Sequence, residues 1–297
     1  MTISIRTSAF LVLIALASSA ILHADPDYTQ LRAQRAQGLT QPYGWFSLVA
    51  LEWLKPGVIT VGSAKDNTVV LDGADAHLMK LQQKDGVVTL LADAPSLTLE
   101  GKPLQAVDQH PVIGKGEDDA SALASGTLRF WAIDRGGQRY LRVKNSDAPA
   151  LKDFHGLRWY APDQHYRVEA QWIPSTTPRT MHVVNKLGQI EKVPVPGYVE
   201  FVVDGKKQTL VPLEASTNQL WFVFRDTTSR QTTDGGGRFL TTSGPSNGLG
   251  KPGFVTLDFN EAVNPPCAYS PYATCPLASP ENRLPVAIPA GEKRYDD

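Results

Sequence analysis

In TLRFWAIDRGGQRYLRVKN, residues 127–145, Leu128, Phe130 and Ala132 alternate with Thr127, Arg129, Trp131 and Ile133, and Arg135-Gly136-Gly137 then breaks the run. Alternation with period two places one set of side chains on each face of a strand. Adjacent glycines supply the positive φ angles that a tight hairpin turn requires. The stretch therefore reads as two antiparallel strands, and no helix fits it.

The same texture extends in both directions. Upstream, GWFSLVALEWLKPGVITVGS carries the turn signal Pro56-Gly57 between two apolar runs. TVVL, HLMKLQQ, VVTLLAD and SLTLE follow at short intervals, with Asp85-Gly86 placed to close a hairpin. Downstream, YRVEAQW (166–172), GYVEFVV (197–203), QTLV (208–211), LWFVF (220–224) and FVTLDF (254–259) read as further strands, and Asp204-Gly205 as a turn. Only Asp27 to Ala36 suggests a short helix. Many short strands separated by turn residues predict a mainly β chain: an N-terminal β-sandwich, then a β-sandwich or barrel-like C-terminal part. The polar, glycine-bearing run DQHPVIGKGEDDASALASG (108–126) is the expected boundary, between a β region at 25–107 and a β domain at 127–297.

Composition sets outer limits. The chain has 297 residues, 24 glycines, 22 prolines and a formal net charge of -1, with lysine and arginine scattered. Such a chain has no basic footprint for nucleic acid or anionic lipid. At the N-terminus, Arg6 precedes the compact apolar run Ala9–Ala17, and small residues follow. That is the pattern of a secretory signal peptide over residues 1–24, with cleavage expected after Ala24 or, alternatively, near Ser18-Ser19-Ala20. The run is too short for a membrane span, so the mature protein is expected to be periplasmic or secreted, without membrane insertion.

No motif names a reaction. G-x-S-x-G elbow, P-loop and dinucleotide-binding glycine fingerprint are all missing from the sequence, and RGGQ and DGGGRF read as turns. His77, His110, His155, His165 and His182 fall into no metal-binding spacing, so neither metal nor cofactor is expected. Polar groups do gather at LWFVFRDTTSRQTTDGGGRFL and VTLDFNEAVNPPC. There, Asp226, Asp258 and Glu281 are the acid/base candidates, and Arg225, Arg238 and Arg283 the anion-binding ones. The plainer reading of the same residues is an Arg–Asp clasp that holds loops together.

Two resemblances add to this. VGSAKDNTVVLDGADAHLMKLQQKDGVVTLLADAPSLTLEGKPLQAV resembles a forkhead-associated (FHA) sandwich, with Gly62, Asn67, Val69–Leu71, His77 and Leu99-Glu100-Gly101 in matching places. Ser63 stands where that family's loop arginine belongs, and Asp75-Ala76 replace Ser-Arg before the histidine. The resemblance thus implies a scaffold without phosphothreonine recognition and a packed, structural His77. Over nearly the whole mature chain, GWFSLVALEWLKPG, IDRGGQRYLRV, FRDTTSRQTTDGGGRFL and DFNEAVNPPCAYSPYATCPLASPENRLPVAIPAGEKRY resemble the DUF1684 family of bacterial and archaeal proteins. Asp258, Asn260, Asn264, Cys267, Tyr269, Cys275, Glu281, Asn282 and Glu292 fall on that family's tail motif, and Arg225, Asp226 and Arg238 on its Phe-Arg-Asp segment. Arg230 and Asp234 depart from it. The resemblance implies architecture and supplies no activity.

Cys267 and Cys275 are the chain's cysteines, and in an exported protein this spacing favours a disulfide over two buried thiols, worth about 2–3 kcal/mol by loop closure. Pro265, Pro266, Pro271, Pro276, Pro280, Pro285 and Pro289 rule out a central strand here, so the tail is expected to be a rigid strap. The functional expectation is an exported binding or interaction module for a glycan, a peptide or a small ligand. Asn260, Asn264, Tyr269, Asn282 and Arg283 would line its groove. The alternative is a hydrolase or lyase working through the carboxylate–arginine cluster.

Overall fold

The computed structural model describes residues 27–91, 96–99, 101–104 and 123–295. The expected signal segment, His110 and most of the 108–126 boundary lie outside these residues. The fold is mainly β, in several sheets whose apolar faces pack in sandwich fashion.

The first lobe pairs a six-stranded sheet with a four-stranded one. The larger sheet runs in the order 48–53, 138–145, 128–135, 123–125, 98–99 and 102–103, and the smaller in the order 69–70, 57–62, 79–84 and 87–91. Leu128, Phe130, Ala132, Leu141 and Val143 project from one sheet onto Ile59, Val61, Leu81 and Val88 of the other, all buried. The period-two alternation of 127–145 therefore does what it predicts, with Phe130 inside the sandwich and Trp131 on the opposite face. At the turn, Gly136 and Gly137 take φ of 60° and 80°, values that glycine adopts without a steric penalty. Because 128–135 and 138–145 share a sheet with 48–53, the first lobe continues past the expected boundary at 108–126. Pro56-Gly57 separates strands of different sheets, so it works as a crossover between layers. His77 corrects the sequence reading: it is exposed, and its nearest ionic neighbour is Asp66 at 3.9 Å.

The second lobe packs a four-stranded sheet (206–210, 197–203, 167–174, 253–258) on a three-stranded one (214–215, 219–224, 238–243). Trp172, Phe201, Phe222, Phe224, Leu257 and Phe259 fill the space between them. A separate hairpin, 180–184 with 190–194, stands beside this body. The helix Tyr28–Thr40 begins where the Asp27 carboxylate accepts from the Thr29 N–H at 2.9 Å, an N-cap. Among the described residues no helix is long and apolar enough to cross a membrane.

The tail from Asn264 onward wraps this body as a strap with only short 3₁₀ turns, at Pro266–Ala268 and Pro280–Asn282. Leu284, Val286, Ile288 and Ala290 point alternately into the second core. The expected disulfide is not formed: Cys267 and Cys275 are free thiols, outside bonding distance. The 3₁₀ turn at Pro266–Ala268 instead aims the Cys267 N–H at Cys275 Sγ, 3.1 Å away, and the strap is closed by hydrogen bonds.

Candidate functional site

Asp226 sits just after the strand 219–224, and Arg238 opens the strand 238–243 opposite Phe224. Both side chains are buried, with Arg238 Nη2 at 3.3 Å from Asp226 Oδ1. The other Asp226 oxygen accepts the Ile288 N–H at 2.6 Å, and Thr228 Oγ1 lies 2.9 Å from both oxygens. Arg238 donates to the carbonyls of Ile288, at 3.0 Å, and Ala290. Burial lowers the Arg238 pKa and the Asp226 carboxylate opposes that shift. The pair thus ties the loop 225–237 to the strap at 288–290, and its hydrogen-bonding capacity faces the protein.

Asp258 ends its strand and caps the turn Phe259–Glu261, accepting from the Asn260 N–H at 3.1 Å, Asn260 Nδ2 at 3.0 Å and the Tyr28 hydroxyl at 2.7 Å. Arg167 Nε stands 3.4 Å away. The sequence pattern placed Asp258 and Asn260 on a face opposite Leu257 and Phe259. The chain leaves the strand at Asp258, so all four are buried. Asn260 also exchanges two bonds with the Asp163 backbone, each of 2.9 Å.

The remaining polar candidates divide between buried fasteners and an outer face. Asn282 donates to the carbonyls of Val211 (2.8 Å) and Val223 (3.0 Å) and accepts the Val211 N–H (2.8 Å). Asn264 binds the Glu292 carboxylate through both its N–H and Nδ2 (3.1 Å each), and Tyr269 donates its hydroxyl to the same carboxylate. Arg35 from the N-terminal helix approaches Glu292 at 3.6 Å and donates to the Asn264 carbonyl at 2.7 Å. Burial raises the Glu292 pKa, opposed by Arg35, Tyr269 and Asn264. Arg225 joins Asn282 and Leu284 through its backbone. Glu281 and Arg283 are exposed and line a depression of about 300 Å³ with Glu200 and Lys207. Neither this depression nor the main cleft is lined by Asp226 or Asp258. Among the described residues no cluster of three or more His, Cys, Asp or Glu is arranged to hold a metal.

The large concavity lies elsewhere. A cleft of about 1160 Å³ opens where the first lobe, the hairpin 180–194, the three-stranded sheet and the strap meet. Trp45, Trp221 and Phe239 give it aromatic walls, and Trp221 and Phe239 meet edge to face with centroids 4.8 Å apart. Val183 and Val193 come from the hairpin, and Pro266, Thr274, Cys275 and Pro276 from the strap. Arg135 reaches in from the first lobe, its Nε bonded to Thr274 Oγ1 at 2.7 Å, and Gln189 donates to the Arg135 carbonyl at 2.8 Å. Burial lowers the Arg135 pKa, countered by Cys275 and Glu191.

Residues 152–293 match the family described as a protein of unknown function, DUF1684. The chain carries a DUF1684-family domain. It is also similar to an uncharacterized protein of Haloarcula marismortui solved by solution NMR, at 33% identity over 48% of this chain and 78% of that one, with a TM-score of 0.40. No curated protein matches it.

Within the DUF1684 domain, the polar residues that stand out in sequence are mostly the buried fasteners: Asp226, Arg238, Asp258, Asn260, Asn264, Asn282 and Glu292. The cleft draws on different positions. Trp221, Glu191 and Glu214 were not singled out from the sequence. A signal for Trp221 does exist, since in LWFVF the residues Leu220, Phe222 and Phe224 face the core and leave Trp221 on the outer face.

Proposed function

We propose that this protein is an exported binding module whose ligand, a glycan, peptide or small molecule, occupies the cleft between the two lobes. The observation that carries the reading is the cleft itself: about 1160 Å³, walled by Trp45, Trp221 and Phe239 and edged by a few polar groups. Ligand sites are commonly concave and largely apolar, with a small number of polar groups that fix orientation. Two of the three acid/base candidates favour binding over catalysis, because Asp226 and Asp258 are engaged by protein groups, and the third, Glu281, lies on an exposed depression apart from them.

Export rests on the basic, apolar and small-residue succession of residues 1–24. The first lobe fits this role as a scaffold of forkhead-associated type, in which Asn67 braces its loop through the carbonyls of Ala64 (2.8 Å) and Ala76 (2.7 Å).

A thermal-shift screen of envelope glycan fragments, short peptides and small metabolites tests the binding. A true ligand raises the melting temperature by about 2–4 °C per kcal/mol of stabilisation, and Trp221→Ala removes the shift. Hits that survive Trp221→Ala count against the cleft. For export, fractionation of expressing cells should give a mature chain whose first residue is Asp25. An intact N-terminus on cytoplasmic protein would overturn that part.

A further inference from the structure

The walls of the cleft carry a charge pattern as well as a shape. Glu214 lies directly opposite Trp221 in the register of strands 214–215 and 219–224, so its carboxylate stands beside the indole on one sheet. Glu191 projects from the hairpin across the same cleft. Both glutamates are exposed. Glu191 acts electrostatically on the Arg135 guanidinium, whereas among the described residues the Glu214 carboxylate has no hydrogen-bonded or ion-paired partner. The other charges in the cleft are already engaged: Asp134 pairs with Arg139, and Arg135 is bonded to Thr274 and to the Asp134 carbonyl and has Glu191 as an acidic counterpart. The end of the cleft formed by Trp221, Phe239 and Glu214 therefore joins π faces to an uncompensated negative charge.

A cation is attracted to the face of an aromatic ring, most strongly to tryptophan, and more so when it is partly desolvated. A carboxylate beside the ring adds an ion pair in the same direction. A compact anion at this end would meet repulsion from Glu214, and a neutral ligand would leave that carboxylate without a partner. We infer that the ligand of this cleft is an organic ammonium cation, a protonated or quaternary amine on an apolar body, with its charged head between Trp221 and Glu214. The inference rests on the cleft being the binding site, and it adds the chemical class of the occupant.

The probe pair is choline and its neutral isostere 3,3-dimethylbutan-1-ol, titrated calorimetrically into the full-length mature protein. Choline is expected to bind at least about tenfold more tightly than the alcohol, since shape is matched and only charge differs. Glu214→Gln should weaken choline by about tenfold and leave the alcohol unchanged. Trp221→Leu should abolish both, whereas Glu169→Gln, on an exposed strand position away from the cleft, should change neither. Raising the salt concentration should narrow the gap between the two probes. Equal affinities, no binding of either probe, or choline binding untouched by Glu214→Gln would each overturn the ammonium assignment. A neutral ligand from the wider screen that still depends on Trp221 would leave the cleft reading standing, so the two failures are distinguishable.

Discussion

At the scale of single residues, the Asp226–Arg238 pair shows what burial does to a charge. Arg238 has its guanidinium over the Phe224 ring at 5.0 Å and is shut off from water, so its charge depends on Asp226 and on the strap carbonyls. Removing one partner of such a pair leaves the other uncompensated, which costs about 3–5 kcal/mol. Asp226→Asn should therefore lower the unfolding free energy by about that amount in urea, whereas replacing both residues with apolar ones should cost much less. A single-mutant loss below about 1 kcal/mol would mean that the pair is solvated. The cysteines make a second residue-scale test. A Cys267 N–H directed at Cys275 Sγ over 3.1 Å is the geometry of a thiol accepting a hydrogen bond. Alkylation of unfolded protein without reductant should add two labels to the intact mass. No added label would restore the bridge.

At the scale of elements, the strap is tied to the body by side chains inserted under strand ends. Asn282 makes three bonds to Val211 and Val223, so Asn282→Ala would strand buried backbone groups of both. The expected loss is about 2–4 kcal/mol, read as a shifted urea midpoint with unchanged slope. A change within about 0.5 kcal/mol would mean that water replaces the amide. The elements differ in how far sequence betrays them. Strands such as 128–135 and 219–224 were legible because one face is buried and their apolar residues recur with period two. The hairpin 180–194 was not, because its second strand is mostly exposed, Ile190 included, and Glu191-Lys192 break any period-two alternation. The exit from the strand at Asp258 was hidden for another reason. Asp258, Phe259 and Asn260 continue the alternating pattern of the strand, and the side-chain cap on the Asn260 N–H turns the backbone into a 3₁₀ turn.

At the scale of the whole molecule, the helix Tyr28–Thr40 and the C-terminal strap meet at Glu292. The helix contributes Arg35, and the strap contributes Asn264, Tyr269 and Glu292 itself, so this cluster fastens helix and strap to each other. None of these partners lies near Glu292 in sequence, which is why the site could not be assembled from spacing alone. Burial is the leading influence on Glu292 and raises its pKa above the ordinary carboxylate range, with Arg35 the largest opposing one. A carboxyl whose folded pKa exceeds its unfolded value binds its proton more tightly in the native state. Its contribution to stability is complete below about 4.3, the ordinary glutamate pKa, and is lost as pH rises through the raised folded value. Asp234 and Glu261 are also raised by burial and act in the same direction, so the wild-type slope alone would not isolate Glu292. The comparison with Glu292→Gln does isolate it, because the amide cannot titrate and the other groups stay in place. The stability difference, wild type minus variant, should be largest near pH 4.5 and shrink toward pH 8, by about 1.4 kcal/mol for each unit by which the folded pKa is raised. Urea midpoints taken across that range measure it. A difference that stays flat, or that grows with pH, would mean that Arg35, Tyr269 and Asn264 outweigh burial and hold Glu292 as a carboxylate throughout.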